Sequence, residues 1–348
     1  MKSTYMKEEF EICFKSAGGL FDPQSKEVKK LVEFSNNTIE HIKSIYTKMP
    51  PIYFNLINNN SLNATAAIFN NNYLIGVNIG TFDIIRDLFL KNLSCKSNAL
   101  FKCTKLSLVN TKNGLEYDHS FDPDSIMFDL NYSKLLSQQT TLVGKFVIYH
   151  EICHILRGHV DFIKIKHNLQ IHEVNTIIDT KIINTLQTLE MDADSFATNR
   201  CLNDFFQNQS IDFRNGIYKD LKTFIYYFSY SIYCFFRIFG FYELNISCVK
   251  SYSHPPPAIR ISMILDNIAT ILIEKNIKNK DEIIATSMQA TRDAENDLSK
   301  ITYFNNEFFR VQEVYANPEL TNYLFQIVNN WKNIKGELEK YTFSELPN

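Results

Sequence analysis

Glycine is scarce: the 348-residue chain holds 10. It contains no GxGxxG, no P-loop and no GxSxG elbow, so dinucleotide redox chemistry, ATPase work and serine hydrolysis lose their usual handles. An excess of one charge sign is also missing, with 36 Lys+Arg against 38 Asp+Glu. Without a polybasic footprint, nucleic acid is excluded as the main partner. The seven cysteines are odd in number and never arranged as CxxC. That excludes a cysteine zinc knuckle, argues against a disulfide framework, and points to reduced thiols in a cytoplasmic compartment. A long apolar run is lacking too. The most suspect stretch, 223–242, is uncharged for 14 residues before Arg237, whereas a span needs ~20. It reads as a buried core helix, with an interfacial membrane contact as the alternative. The N-terminus, MKSTYMKEEFEICF, places acids where a secretory leader needs apolar residues. A cytoplasmic, soluble protein without a transmembrane span is expected.

What is present is a folding composition, 45% hydrophobic and 21% charged. Residues 1–50 carry helical spacing and end at Pro50-Pro51. Three β-rich runs follow, 52–57, 64–69 and 73–79, punctuated by asparagine clusters, and read as an antiparallel β-meander. From about 140 the pattern is helical. The expected fold is α+β: a small antiparallel meander packed on a mostly helical catalytic domain. The expected division is an N-terminal helical segment at 1–50, a catalytic domain at 51–275, and a C-terminal helical extension at 276–348.

The informative stretch is His150-Glu151-Ile152-Cys153-His154. Histidines four apart project from one face of a helix, one turn from each other, and can chelate one Zn²⁺. Glu151, rotated about 100° from His150, can reach a water on the ion and serve as general base. Val147, Ile148, Ile152, Ile155 and Leu156 surround these groups with apolar residues, so polar side chains there need a reason. Gly158 stands where a helix would end. His159 would point about 140° from His154 on a continuing helix, which favours a structural or supporting role over ligation.

A third ligand is sought in Leu189-Glu190-Met191-Asp192-Ala193-Asp194. Glu190 and Asp194 share a helix face. Glu190 would complete a His₂Glu set with one zinc per chain, and Asp194 would accept the second N–H of a ligand histidine. The plain alternative is a solvated acidic helix face. In Ser253-His254-Pro255-Pro256-Pro257-Ala258-Ile259-Arg260, His254 could donate to a tetrahedral oxyanion and Arg260 could pair with the site carboxylates. The alternative there is a helix N-terminal loop with prolines in its first turn. Asn63, Ala64 and Ala66 open the second β-run with small residues, as an edge strand that binds an extended peptide would. Asp118, Asp122 and Asp124 are acidic but lack the glycine and final glutamate of a calcium loop, so they read as a solvated turn.

Taken together, the motifs HEICH at 150–154, ExDAD at 190–194, NATA at 63–66 and HPPPAIRI at 254–261 resemble gluzincin metallopeptidases, over about residues 50–270. The resemblance is to the CAAX-prenyl-protease/heat-shock-protease group. The lack of transmembrane helices and the ILRGH ending look more like the soluble phage-exclusion peptidases of the Lit family. This resemblance implies a zincin-type domain, hydrolysis of a peptide bond in a cytoplasmic protein, and a toxin-like or defence role. The rival expectation is a non-catalytic binding or regulatory protein with a structural zinc, for which Glu151 would be superfluous.

Overall fold

The computed structural model describes residues 2–23, 26–96, 108–111, 114–117, 130–167, 180–214, 218, 220–239, 249–250, 252–301 and 311–347. The acidic turn at 118–124, Ile178 and residues 240–242 lie outside them. Two helices, α1 (Lys2–Phe14) and α2 (Lys26–Ile45), flank a short strand, β1 (Leu20–Phe21). Pro50-Pro51 cannot continue a helix, and β2 (Ile52–Ile57) follows, then β3 (Ala64–Phe69) and β4 (Asn72–Asn78). The β3–β4 hairpin turns through Asn70 and Asn71 at φ of 46° and 64°, the left-handed region that asparagine tolerates.

The meander expectation is corrected here. Strand order is β1-β2-β4-β3, and β2 runs parallel to β4 in the register Ile52↔Tyr73 to Ile57↔Asn78. Within this sheet, β3–β4 and β1–β2 are antiparallel. The physical reason is burial. Tyr73-Leu74-Ile75-Gly76-Val77 is apolar on both faces, as a central strand requires, and all five residues are buried. The thinner Ala64-Thr65-Ala66-Ala67 is left at the edge. A second, two-stranded sheet pairs β5 (Leu108–Thr111) with β6 (Gly114–Tyr117).

The rest is helical: α3 (Ile79–Lys96), α4 (Leu130–Leu156), α5 (His159–His167), α6 (Thr180–Arg214), α7 (Leu221–Ile238), α8 (Pro257–Glu274), α9 (Lys280–Leu298), α10 (Val311–Ala316) and α11 (Pro318–Leu338). The architecture is thus α+β, mostly helical around one small mixed sheet. Helix α4 runs through the centre, packed against α3, α6, α7 and β3. A single hydrophobic cluster joins Leu31 and Ile42 of α2, Ile148 and Ile152 of α4, and Ala290 and Leu298 of α9. It crosses both of the segment limits expected at 50 and 275.

The aromatic stretch forms α7, whose Phe224, Phe228, Ile232, Phe235 and Phe236 are buried. Its tyrosines face acids of α9: Tyr226 donates to Asp293 and Tyr230 to Asp297, each at 2.9 Å. Among the described residues, no helix is long and apolar enough to cross a membrane.

Candidate metal centre

Helix α4 ends as its sequence dictates. Gly158 adopts φ +73°, its N–H reaches the Ile155 carbonyl, and a Cβ there would lie 2.5 Å from the Tyr341 backbone. The preceding turn carries His150 and His154 on one face, with their Nε2 atoms 3.0 Å apart. Helix α6 crosses α4 and brings the Glu190 carboxylate to them, at 3.2 Å from His150 Nε2 and 3.4 Å from His154 Nε2. All three residues are buried.

These separations test the donor set. A tetrahedral ion with arms of ~2.0–2.1 Å holds its ligands about 3.3 Å from one another. The two ring nitrogens, 3.0 Å apart, are close to that, and the carboxylate straddles them, with Oε2 3.2 Å from His150 Nε2 and Oε1 3.4 Å from His154 Nε2. Glu190 Oε2 is buried and makes no hydrogen bond among the described residues, as suits an oxygen meant for a cation. Electrostatics agree. Burial works against charge on Glu190, yet His254, His150 and His154 outweigh it and hold the carboxyl well below its ordinary range. Burial also opposes charge on His150, but Glu190 and Asp194 override it and raise the imidazole to about 10. The carboxylates thus demand positive charge where the donor atoms converge. Burial drives His154 well below its ordinary value, toward the neutral form in which imidazole binds metals. These residues therefore fit zinc.

Asp194, one turn past Glu190, lies 3.0 Å from His150 Nδ1. Arg260 grips Asp194 through Nε and a terminal nitrogen, both at 2.7 Å, and lies 3.5 Å from Glu190 Oε2. Beneath the guanidinium is the Phe236 ring, 4.4 Å away, so α7 supports the site from below. His254, half-exposed, reaches Glu190 Oε1 at 3.5 Å, and its Nδ1 is 2.9 Å from Ser253 Oγ. Gln187 anchors this loop by donating to the carbonyls of Val249 and Tyr252, and is itself fixed by the Tyr323 hydroxyl.

Glu151 is buried beside His150, and burial pushes its carboxyl up to about 7. His150 and Arg260 pull it down, Glu190 pushes it up, and the Ala66 backbone N–H donates to it. That last contact ties the edge strand to the site. Asn78 N–H bonds the Asn63 carbonyl, so in the antiparallel ladder residues 65, 67 and 69 bond to β4, while 64, 66 and 68 turn their backbone groups outward. Of the three residues expected to bind substrate, Ala64 and Ala66 therefore turn their backbone groups off the ladder, but Ala66 is buried and its N–H is directed to Glu151, which leaves Ala64 as the outward position. Asn63 presents no open edge, because its N–H and carbonyl are both bonded to Thr81 Oγ1.

Four further residues were not read from the sequence as a group. Because the helix breaks at Gly158, His159 swings back and places Nδ1 3.0 Å from His154 Nδ1. Its Nε2 lies 3.2 Å from Asp192, which pairs with Arg157, and Cys153 Sγ is 3.8 Å from the same carboxylate. The available signal was Asp192 itself, an acid between the apolar positions Leu189, Ala193 and Phe196.

No protein-family model, no curated protein and no solved structure matches this chain.

Proposed function

We propose that the chain is a zinc-dependent endopeptidase of the His₂Glu type, acting on a peptide bond in an extended segment of a cytoplasmic protein. The observation that carries this reading is the convergence of His150 Nε2, His154 Nε2 and the Glu190 carboxylate at 3.0–3.4 Å, with Glu151 beside them. When bound, zinc supplies the positive charge that polarises a carbonyl and lowers the pKa of water toward ~7. The chain's own residues supply the rest. Glu151, with its carboxyl raised toward neutrality, takes the proton of the attacking water and returns it to the leaving nitrogen. His254 Nε2–H donates to the developing oxyanion. Asp194 holds the proton of His150 on Nδ1 and so keeps Nε2 free, and Arg260 holds Asp194. An extended peptide pairs with the outward groups of Ala64, next to the Ala66 N–H that faces Glu151, which brings its backbone to the site.

Elemental analysis of purified wild type is expected to give one zinc per chain, lost in His150→Ala. Glu151→Gln is expected to keep the zinc while cleaving a peptide library at least ~10²-fold more slowly, read by mass spectrometry. A Glu151→Gln protein that cleaves at the wild-type rate overturns the mechanism. A wild type free of zinc overturns the metal centre.

A further inference from the structure

The proposed zinc site leaves a second set of buried, ligand-capable groups unused. Cys153, His159 and Asp192 bring a sulfur, a ring nitrogen and a carboxylate oxygen within 4.8 Å of one another. His159 Nε2 makes no hydrogen bond of good geometry among the described residues, although Asp192 Oδ2 lies 3.2 Å from it. Two uses compete: a second metal ion, or support for the first.

Proton bookkeeping decides between them. His154 Nδ1 and His159 Nδ1 face each other at 3.0 Å, so one proton lies between them. His154 directs Nε2 at His150 and Glu190, and a neutral imidazole that gives its Nε2 lone pair to a metal carries its proton on Nδ1. That proton is donated to His159 Nδ1, which must offer its lone pair. The proton of His159 is then on Nε2, with Asp192 Oδ2 3.2 Å away to receive it. A nitrogen that carries a proton is not a ligand. Arg157 adds to this by binding Asp192 Oδ1, so a guanidinium already supplies the charge a second cation would bring.

We propose that His159, Asp192 and Arg157 form a positioning relay that orients His154 toward the metal, an inference that rests on the zinc-peptidase reading. The two ligand histidines are then backed alike. His150 is held by Asp194 and Arg260 directly, and His154 is held by Asp192 and Arg157 through one intervening imidazole. Both aspartates come from the same turn of α6 that supplies Glu190. The relay also satisfies a buried N–H of His154 that would otherwise have no acceptor.

The test is zinc affinity of the full chain, measured by competition with a chromophoric chelator, together with the visible spectrum of the cobalt-substituted protein. His159→Ala is expected to weaken zinc binding 10–100-fold and to shift the cobalt bands. His159→Gln, whose side-chain carbonyl can accept the same proton, is expected to recover part of the loss. Cys153→Ser is expected to keep one zinc at wild-type affinity. The relay is overturned if His159→Ala keeps the wild-type affinity and spectrum, or if wild type holds two zinc ions and Cys153→Ser loses one. Should His159→Ala fail to fold, Asp192→Asn decides, and an unchanged affinity there overturns the relay. Wild type that takes up no zinc is a different failure, seen before any variant is made: it removes the peptidase reading and the relay together.

Discussion

Arg260 shows how much one side chain carries at this site. Its planar fork meets Asp194 through two hydrogen bonds of 2.7 Å while its face rests on Phe236 at 4.4 Å. A lysine keeps the charge but offers a point donor with no planar face, so the exchange is not conservative here. Arg260→Lys is expected to loosen Asp194, leave His150 less well oriented and weaken zinc binding about tenfold or more. Chelator competition reads the affinity, and circular dichroism checks that the fold survives. An affinity equal to wild type would show that Asp194 needs only a nearby positive charge.

Among the elements, α4 and α7 divide the work. Helix α4 carries the paired histidines and must stop at Gly158 for His159 to turn back. The C-terminal segment closes that end, with Phe343 N–H and Thr342 Oγ1 donating to the Leu156 carbonyl. Helix α7 puts Phe236 under the site and starts at a defined cap: Asp220 accepts the Thr223 N–H at 2.7 Å. That backbone hydrogen bond holds the Asp220 carboxyl below its ordinary value. A folded value below the unfolded ~3.9 means the cap's contribution is fully present above that pH and is lost as pH falls through the lower, folded value. Asp220→Ala is therefore expected to cost about 1 kcal/mol at neutral pH, and the difference from wild type should shrink in acid as the charge-dependent part is lost. Thermal denaturation of both proteins from pH 7 down to pH 2 checks it; a gap that stays constant over that range would assign the loss to packing or the neutral cap rather than to the ionised carboxylate.

At the scale of the whole molecule, the site sits where distant segments meet. Helix α4 brings His150 and His154, α6 brings Glu190, α8 brings Arg260, and β3 brings the Ala66 N–H. The C-terminal helix α11 adds Tyr323, which fixes Gln187 and through it the loop before His254. Trp331 and Leu338 of α11 pack with Leu186 and Leu189 of α6, beside Glu190. A cation that binds only the folded state would tie these elements together. Zinc at ~100 times its dissociation constant should therefore stabilise the fold by about 2.7 kcal/mol. Adding zinc to chelator-treated protein is expected to raise the melting temperature by several degrees, and His150→Ala should not respond. An equal rise in that variant would place the zinc elsewhere.

Local chemistry was legible in the residues alone. Two histidines four apart, a glutamate between them, and Glu190 and Asp194 one turn apart share their faces because helix geometry fixes such spacings within one segment. Gly158 as a stop and Pro257 in the first turn of α8 follow from single-residue conformational limits in the same way. The placement of β4 between β2 and β3 was not determined locally, since strand order depends on which run is buried on both faces. Nor was the position of His159, because a ring turned away on a continuous helix returns once the helix breaks. The backing of His154 by Asp192 and Arg157 joins two helices, and the Ala66 N–H on Glu151 joins a helix to an edge strand. Contacts between segments far apart in the chain are set by packing and burial. Residue spacing along one segment carries no record of them, so the tertiary structure alone decided them.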